Sequence, residues 1–124
     1  MILGIGIDII EVKRMEKWLL NSKLLERYFH DDELEVASAR GKTAALFLAA
    51  RFAAKEAFGK AMGTGLANLV LKDILVINKD NGKPEMKLFG TALKALEKSG
   101  AIKIHISLTH ERNNAVAMVV LEGE

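Results

Sequence analysis

The sequence of 124 residues contains no cysteine. This absence excludes a disulfide scaffold, a thiolate nucleophile and a cysteine-ligated metal, and it fits a reducing compartment. A chain of this length buries roughly two-thirds of the surface that its unfolded form exposes, which is enough for one hydrophobic core. We therefore expect a single domain over residues 1–124 that folds without covalent cross-links.

An excess of either charge is also missing, because 18 Lys and Arg residues are balanced by 16 Asp and Glu residues, for a formal net charge of +2. Such a balance does not indicate a nucleic-acid-binding protein. The longest wholly apolar run, residues 44–50, is far shorter than the roughly 20 residues of a membrane span. The first ten residues carry Asp8 and no basic segment, unlike a signal peptide. We expect a cytoplasmic protein that binds neither nucleic acid nor membrane.

Proline occurs once, and no repeat or low-complexity linker interrupts the chain. The residue patterns predict helices and strands in mixed order, without a regular β-α-β alternation, and so indicate the α+β class. The predicted strands cover residues 2–10, 69–78, 85–89, 102–108 and 115–121, the last of them a buried strand. The predicted helices cover residues 11–20, a segment whose N-cap is Asp31 or Asp32, a long segment from the cap Thr43 to residue 62, and residues 91–99.

Asp8 is the first candidate functional residue. Alternation along the first strand places it on the same face as Gly4 and Gly6, which leave room beside it. A carboxylate buried there without a partner would be costly, so it must meet a cation, a metal ion or hydrogen-bond donors. A structural role is also open, in which Asp8 caps the next helix or pairs with Arg14.

The long helix is apolar in nearly every direction, and only Arg51, Lys55, Glu56 and Lys60 interrupt its second half. A helix that is apolar all round is normally buried, so its charges need partners. Glu56 and Lys60 lie about 40° apart around the axis, which also fits an ordinary surface pair at i,i+4. The alanine-rich surroundings favour an interior or interface position for these charges.

Two weaker patterns follow. Gly63 and Gly65 succeed Lys60 in a loop whose backbone N–H groups could approach a phosphate, although a plain C-cap also explains Gly63. Ser107 does not belong to a hydrolase triad, because it lies mid-strand without a Gly-x-Ser-x-Gly elbow. We expect His105 to pack with a hydrogen bond and His110, at a strand end, to contact a ligand.

Four segments together resemble the holo-[acyl-carrier-protein] synthase family, the small single-domain 4′-phosphopantetheinyl transferases. They are residues 4–14 (GIGIDIIEVKR), 51–65 (RFAAKEAFGKAMGTG), 81–84 (NGKP) and 105–110 (HISLTH). Their order and spacing are those of the family, which makes the set far more specific than any one segment. The resemblance implies an antiparallel sheet with a long buried helix, assembled as a homotrimer with active sites between subunits.

The resemblance also implies an activity. Enzymes of this family transfer the 4′-phosphopantetheine group of coenzyme A to a serine of apo acyl carrier protein, release adenosine 3′,5′-bisphosphate, require Mg²⁺ and support fatty acid biosynthesis. By position, Asp8 and Glu56 are the implied metal ligands and act in catalysis with Lys60, which suits a cation that prefers carboxylate and phosphate oxygens. The serine proton has two candidate acceptors, Glu56 and a water on the metal. The implied coenzyme contacts are Lys42, Arg51, Lys60, Gly63, Gly65, Pro84 and His110, with Lys42 and Arg51 assigned to the coenzyme's remaining phosphate.

Acyl carrier proteins are acidic, and the predicted helix at residues 11–20 carries a matching basic stripe, Lys13, Arg14 and Lys17. Lys23 and Arg27 are further candidates for this docking surface. Three alternatives stay open: a transferase that serves a polyketide or peptide synthase carrier, a Mg²⁺ nuclease, and a non-catalytic module that binds coenzyme A or a nucleotide. The modest net charge argues against the nuclease, and the carboxylate pair argues against the binding module.

Overall fold

The computed structural model describes residues 1–124 and confirms the α+β class. Its α-helices are α1 (Val12–Trp18), α2 (Ser22–Tyr28), α3 (Asp31–Ser38), α4 (Ala44–Met62) and α5 (Gly90–Ser99). Its strands are β1 (Ile2–Glu11), β2 (Ile74–Asn78), β3 (Pro84–Leu88), β4 (Lys103–His110) and β5 (Asn114–Glu122). Short 3₁₀ turns at Gly41–Thr43 and Leu71–Asp73 precede α4 and β2.

The strands form two antiparallel sheets. The larger has the order β1-β5-β4, and the smaller is the β2-β3 hairpin. In the larger sheet Asp8 pairs with Ala117, which pairs in turn with Leu108 on β4. Because neighbouring strands are about 4.8 Å apart, Asp8 and Leu108 lie roughly 10 Å apart on the same row.

Helix α4 lies directly against β1 because two glycines of that strand carry no side chain. A Cβ atom at Gly4 would lie 1.9 Å from the carbonyl oxygen of Ala61, and one at Gly6 would lie 1.9 Å from that of Ala57. The expectation of free space beside Asp8 was therefore wrong, since the helix backbone fills it. This contact brings the second half of α4 against the Asp8 side chain.

The helix starts differ from the predictions in three places. Helix α2 was not predicted, although its N-cap Asn21 accepts a hydrogen bond from the Leu24 N–H, which is an ordinary capping signal. Helix α3 is capped by His30, whose Nδ1 accepts from the Asp32 N–H, so neither Asp31 nor Asp32 is the cap. Thr43 occupies the N-cap position of α4 without capping it, because its hydroxyl donates to the Arg40 carbonyl.

The helix and strand ends elsewhere follow the sequence signals, with two exceptions. Helix α4 ends at Gly63, as predicted, in a left-handed conformation at φ 80°. Residues 69–73 are not part of a strand, because β2 begins only at Ile74. Strand β5 is not fully buried, since its alternate residues face away from α4 and Met118 is 41% exposed.

The face of the larger sheet opposite α4 is apolar and uncovered along β1 and β5, whereas β4 contributes His105, Ser107 and Thr109 to it. On β1 it carries Leu3, Ile5, Ile7 and Ile9, which are 42–60% exposed. In the same rows β5 contributes Val116, Met118 and Val120. We call these seven residues the open sheet face. No helix of the structure has the length and apolarity needed to cross a bilayer.

Candidate active site

Asp8 and Lys60 form the centre of the site. The Lys60 ammonium donates to Asp8 Oδ1 at 2.9 Å and to the Ile7 carbonyl at 3.0 Å. The alternative of an i,i+4 ion pair between Glu56 and Lys60 is not realised, because Lys60 pairs with Asp8 across α4 and β1. The second oxygen of Asp8, Oδ2, is buried and has no hydrogen-bond partner. The site thus contains a carboxylate oxygen that the protein itself leaves unsatisfied.

Glu56 is the second carboxylate, one turn before Lys60 on the half-buried side of α4. Burial raises the pKa of Glu56, the negative charge of Asp8 raises it further, and Arg14 and Lys60 act in the opposite direction. No group of three or more acidic or histidine side chains forms here or elsewhere. Two carboxylates with one unsatisfied oxygen fit Mg²⁺, which commonly uses one or two protein carboxylates and takes its other ligands from water and substrate phosphates.

The glycine loop folds back onto α4 immediately beyond Lys60. Gly63 and Gly65 both have left-handed backbones, at φ 80° and 63°. The Gly65 N–H donates to the Gly59 carbonyl at 2.9 Å, and a Cβ at Gly59 would lie 2.6 Å from the Gly65 backbone. The loop therefore stays close to the Lys60 end of the helix, and Gly63 serves as the C-cap.

Lys55 has a structural partner and does not belong to the site. Its ammonium binds Glu33 Oε1 at 2.6 Å and the carbonyls of Tyr28 and Leu71 at 2.9 and 3.1 Å. Both charged side chains of this pair are 0% exposed. Burial lowers the pKa of Lys55, and the Glu33 carboxylate opposes that effect. The pair joins α2, α3 and the segment before β2 to the long helix.

Arg51 lies on another side of α4, because five residues correspond to about 140° of rotation between it and Glu56. It lines a pocket of about 460 Å³ together with Pro84 and His110, two of the other residues that the family resemblance implies as coenzyme contacts, and that role stays a prediction. Residues not foreseen also line this pocket, namely Arg40, Thr43, Phe47 and Asn78. The sequence pattern did not indicate Arg40 as a site residue, because Gly41, which has a left-handed backbone, separates it from the helical pattern of α4.

The candidate residues thus fall into two groups on different sides of α4. Asp8, Glu56, Lys60 and the glycine loop lie where the helix meets β1, whereas the Arg51 pocket opens between α4, β4 and the β2-β3 hairpin. Lys42 belongs to neither group: it is exposed in the 3₁₀ turn and does not line the pocket.

Helix α1 holds the basic stripe beside the first group. Lys13 and Lys17 are exposed, while the Arg14 guanidinium lies over the rings of Trp18 and Phe52 at 5.1 and 5.2 Å. Arg14 therefore has a packing role as well as a charge. His105 hydrogen-bonds Glu122 at 2.8 Å, as expected for a bonded histidine, although it is on the exposed side of its strand.

Comparison with known proteins identifies the family. A model of the 4′-phosphopantetheinyl transferase superfamily matches residues 4–119. A holo-[acyl-carrier-protein] synthase from Treponema denticola is 59% identical over 123 residues, which are 99% of this chain and 100% of that protein. The chain belongs to the 4′-phosphopantetheinyl transferase superfamily, and the predicted enzyme class is confirmed.

Solved structures agree with this assignment. A holo-(acyl-carrier-protein) synthase from Bacillus anthracis in complex with CoA (3′,5′-ADP) has a TM-score of 0.83 at 43% identity, covering 100% of this chain and 99% of that one. A holo-[acyl-carrier-protein] synthase from Neisseria meningitidis has a TM-score of 0.89 at 35% identity, covering 98% and 99%. These relatives in sequence and in fold are all holo-acyl-carrier-protein synthases.

The raised pKa of Glu56 predicts that Glu56→Gln stabilises the metal-free protein at neutral pH. Folding disfavours the charged form of a carboxyl whose pKa is raised, so stability is lost as the pH rises from the unfolded-state pKa through the folded-state pKa. Glutamine removes that loss of stability at pH values above the folded-state pKa, and it changes nothing below the unfolded-state pKa. Urea denaturation in EDTA should give a higher midpoint for the variant at pH 7.5, and the difference should shrink on acidification.

Glu35→Gln, on the exposed side of α3, is the matched control and should leave the midpoint unchanged at both pH values. A Glu56→Gln midpoint at or below that of the wild type at pH 7.5 would contradict the destabilising effect of the two adjacent carboxylates.

Proposed function

We propose that this protein transfers the 4′-phosphopantetheine group of coenzyme A to a serine of apo acyl carrier protein, with Mg²⁺ as cofactor, in fatty acid biosynthesis. The observation that carries the proposal is the meeting of Asp8, Glu56 and Lys60, with one buried carboxylate oxygen left unsatisfied. Membership of the transferase superfamily supports it, and so does the CoA complex of the Bacillus anthracis relative. The predicted cytoplasmic location stays a prediction.

The reaction is an in-line displacement at the β-phosphorus of coenzyme A. The serine oxygen forms the new P–O bond, the bond to the oxygen bridging the two phosphates breaks, and adenosine 3′,5′-bisphosphate leaves with that oxygen. The serine proton passes to Glu56 or to solvent at the site. Because such transfers are catalysed mainly by alignment and charge neutralisation, the protein's task is to hold both substrates and to offset phosphate charge.

Asp8 and Glu56 are the residues that would hold Mg²⁺, which when bound neutralises charge on the diphosphate oxygens. Lys60 is close enough to Asp8 to supply a further positive charge. When the coenzyme binds, the Lys60 ammonium would give up its hydrogen bond to Asp8 and donate to a phosphate oxygen instead. The backbone N–H groups of the glycine loop, from Gly63 to Gly65, would support the same diphosphate. Arg51, Pro84 and His110 would contact the remainder of the coenzyme in their shared pocket.

The carrier protein docks on α1 in this proposal. Lys13 and Lys17 present exposed charge to its acidic surface, and Arg14 contributes charge next to Glu56. Lys23 and Arg27 extend the basic surface along α2. Docking here would deliver the carrier serine to the Asp8 end of the site.

We also propose a homotrimer with shared active sites. Two observations support it: the open sheet face has seven apolar residues in neighbouring rows, all but Val116 and Val120 exposed, and α4 separates the metal group from the Arg51 pocket within one chain. An exposed apolar patch of this kind is typical of a protein interface. Assembly through the open sheet face would cover it and would allow one chain's pocket to complete its neighbour's site.

The transferase proposal is tested by incubating the protein with CoA, Mg²⁺ and apo carriers of the fatty-acid and the polyketide type, followed by mass spectrometry of the carrier. We expect a phosphopantetheine adduct on the fatty-acid carrier, formed fastest there. Glu56→Gln should reduce the rate by at least about 100-fold while the protein stays folded, because charge neutralisation at the diphosphate is lost. No adduct on any carrier would leave only a coenzyme-binding role, and faster modification of the polyketide carrier would favour the alternative transferase.

The docking surface predicts a selective effect on the carrier. In the double variant Lys13→Glu, Lys17→Glu we expect the KM for the carrier to rise about tenfold, with the KM for CoA unchanged and the effect smaller at high salt. The matched control is Lys94→Glu, Lys98→Glu on α5, which makes the same charge change on another exposed helix. Equal effects of the two double variants on the carrier KM would show that only net charge matters.

The trimer proposal predicts the mass of the particle in solution. Sedimentation equilibrium should give three chain masses for the wild type and one for Ile7→Asp, because a charge in the open sheet face would be buried on assembly. Val36→Asp, an equally apolar exposed position on α3, should remain trimeric. A fully active wild type of one chain mass would refute the shared-site arrangement.

A further inference from the structure

Arg14 lies on an aromatic surface where α1 meets α4. Its guanidinium carbon is 5.1 Å from the centroid of the Trp18 ring and 5.2 Å from that of the Phe52 ring. The two rings contact each other edge to face, with their centroids 5.0 Å apart. Because a guanidinium group stacks well on aromatic rings, both rings restrict where the charge of Arg14 can lie.

Helical spacing explains how these residues meet beside the site. Arg14 and Trp18 are four residues apart on α1, so they lie on the same side of that helix. Phe52 and Glu56 have the same spacing on α4 and share a side of it in the same way. Since Arg14 packs over Phe52, its charge lies against the side of α4 that carries Glu56.

The Trp18 ring is itself held by other rings. It stacks on Tyr28 of α2, with the ring centroids 5.3 Å apart, and contacts Phe29 edge-on at 6.5 Å. Phe29 and Phe52 are buried in the core. A ring packed against three others keeps few conformations, so Trp18 is a rigid support for a side chain that is flexible by itself.

Arg14 has no counter-ion within the chain. None of the salt bridges includes it, and it is exposed in spite of its contact with the rings. Lys13 and Lys17 of the same helix are also exposed, but neither lies over an aromatic ring. Arg14 is therefore the member of the basic stripe whose position is fixed before a partner binds.

We propose that Trp18 is a positioning residue for carrier binding: with Phe52 it holds the Arg14 guanidinium in place for an acidic side chain of the carrier. This inference rests on the proposed function. Immobilising a flexible side chain at an interface lowers the affinity, and a side chain that is already fixed avoids most of that loss. The lysines of the stripe attract the carrier at longer range. Trp18 thus affects the affinity through Arg14.

Calorimetric titration with apo acyl carrier protein of the fatty-acid type tests this coupling in Arg14→Ala, Trp18→Leu and the double variant. We expect Arg14→Ala to weaken carrier binding about tenfold, as for loss of a charged hydrogen bond. Trp18→Leu should weaken it about fivefold, as for loss of a cation–π contact. The double variant should lose about tenfold and not about fiftyfold, because Trp18 has nothing to hold once Arg14 is removed.

The matched control combines Trp18→Leu with Lys17→Ala. Their effects should multiply, because Lys17 does not lie on the ring. Trp18→Phe retains an aromatic face and should bind the carrier within about twofold of the wild type. Far-ultraviolet circular dichroism and urea denaturation check that each variant is folded under the conditions of the titration.

A second measurement uses the free protein. Trp18 is the only tryptophan of the chain, so its fluorescence reports directly on this contact. Arg14→Ala should raise the acrylamide quenching constant of Trp18, because the guanidinium no longer covers the ring. Lys17→Ala should leave that constant unchanged.

The role of Trp18 is overturned if Arg14→Ala leaves carrier binding or the quenching constant unchanged, if the double variant loses the product of the single effects, or if Trp18→Phe binds as weakly as Trp18→Leu. Coupled losses of carrier affinity together with no modified carrier would support the role of Trp18 and refute the transferase. Carrier modification by the wild type together with independent effects of the two substitutions would support the transferase and refute the role of Trp18. A wild type that neither binds nor modifies the carrier would refute both.

Discussion

The close contact between α4 and β1 is the constraint on which the other features depend. Gly4 and Gly6 allow the helix backbone to approach so nearly that a single methyl group at either position would collide with a carbonyl oxygen. At that separation the Lys60 ammonium reaches both Asp8 and the Ile7 carbonyl. A strand and a helix that are 52 residues apart in sequence therefore meet at an atom-to-atom distance set by the two missing side chains.

On and beside helix α4, some buried charged side chains have hydrogen-bond partners for their polar atoms and others do not, and this difference separates structural charges from candidate functional ones. Lys55 is fully buried and has three acceptors, so its cost of desolvation is offset within the fold. Arg51 is almost equally buried and has an unpartnered Nε, and the Asp8 side chain facing the helix has an unpartnered Oδ2. Such unsatisfied groups destabilise the free protein and are typical of sites that bind ions of opposite charge. The two orphaned atoms lie in the two groups of site residues, one cationic and one anionic.

Helix α4 separates the two groups of site residues within one chain. The proposed role of the open sheet face therefore concerns the active site as well as the burial of apolar area. A helix buried between a sheet and the smaller helices can present residues on several sides, but one chain does not close a cavity around all of them. In the proposed homotrimer, association through the open sheet face would cover its apolar residues and would bring the two groups from different chains together.

The sequence by itself determined the class of the fold and the extent of α4 with its Gly63 cap, and through the family resemblance it singled out Asp8, Glu56 and Lys60 as candidate site residues. These features follow from periodicity, capping and motif spacing, which act over a few residues or can be read from the order of short segments along the chain. Only the tertiary structure decided that Lys60 pairs with Asp8 instead of Glu56, that His30 caps α3 while Glu33 binds Lys55, and that Arg40 lines the same pocket as Arg51. Each of these depends on which backbone turns and packed surfaces meet, and local propensity carries no information about contacts between distant segments.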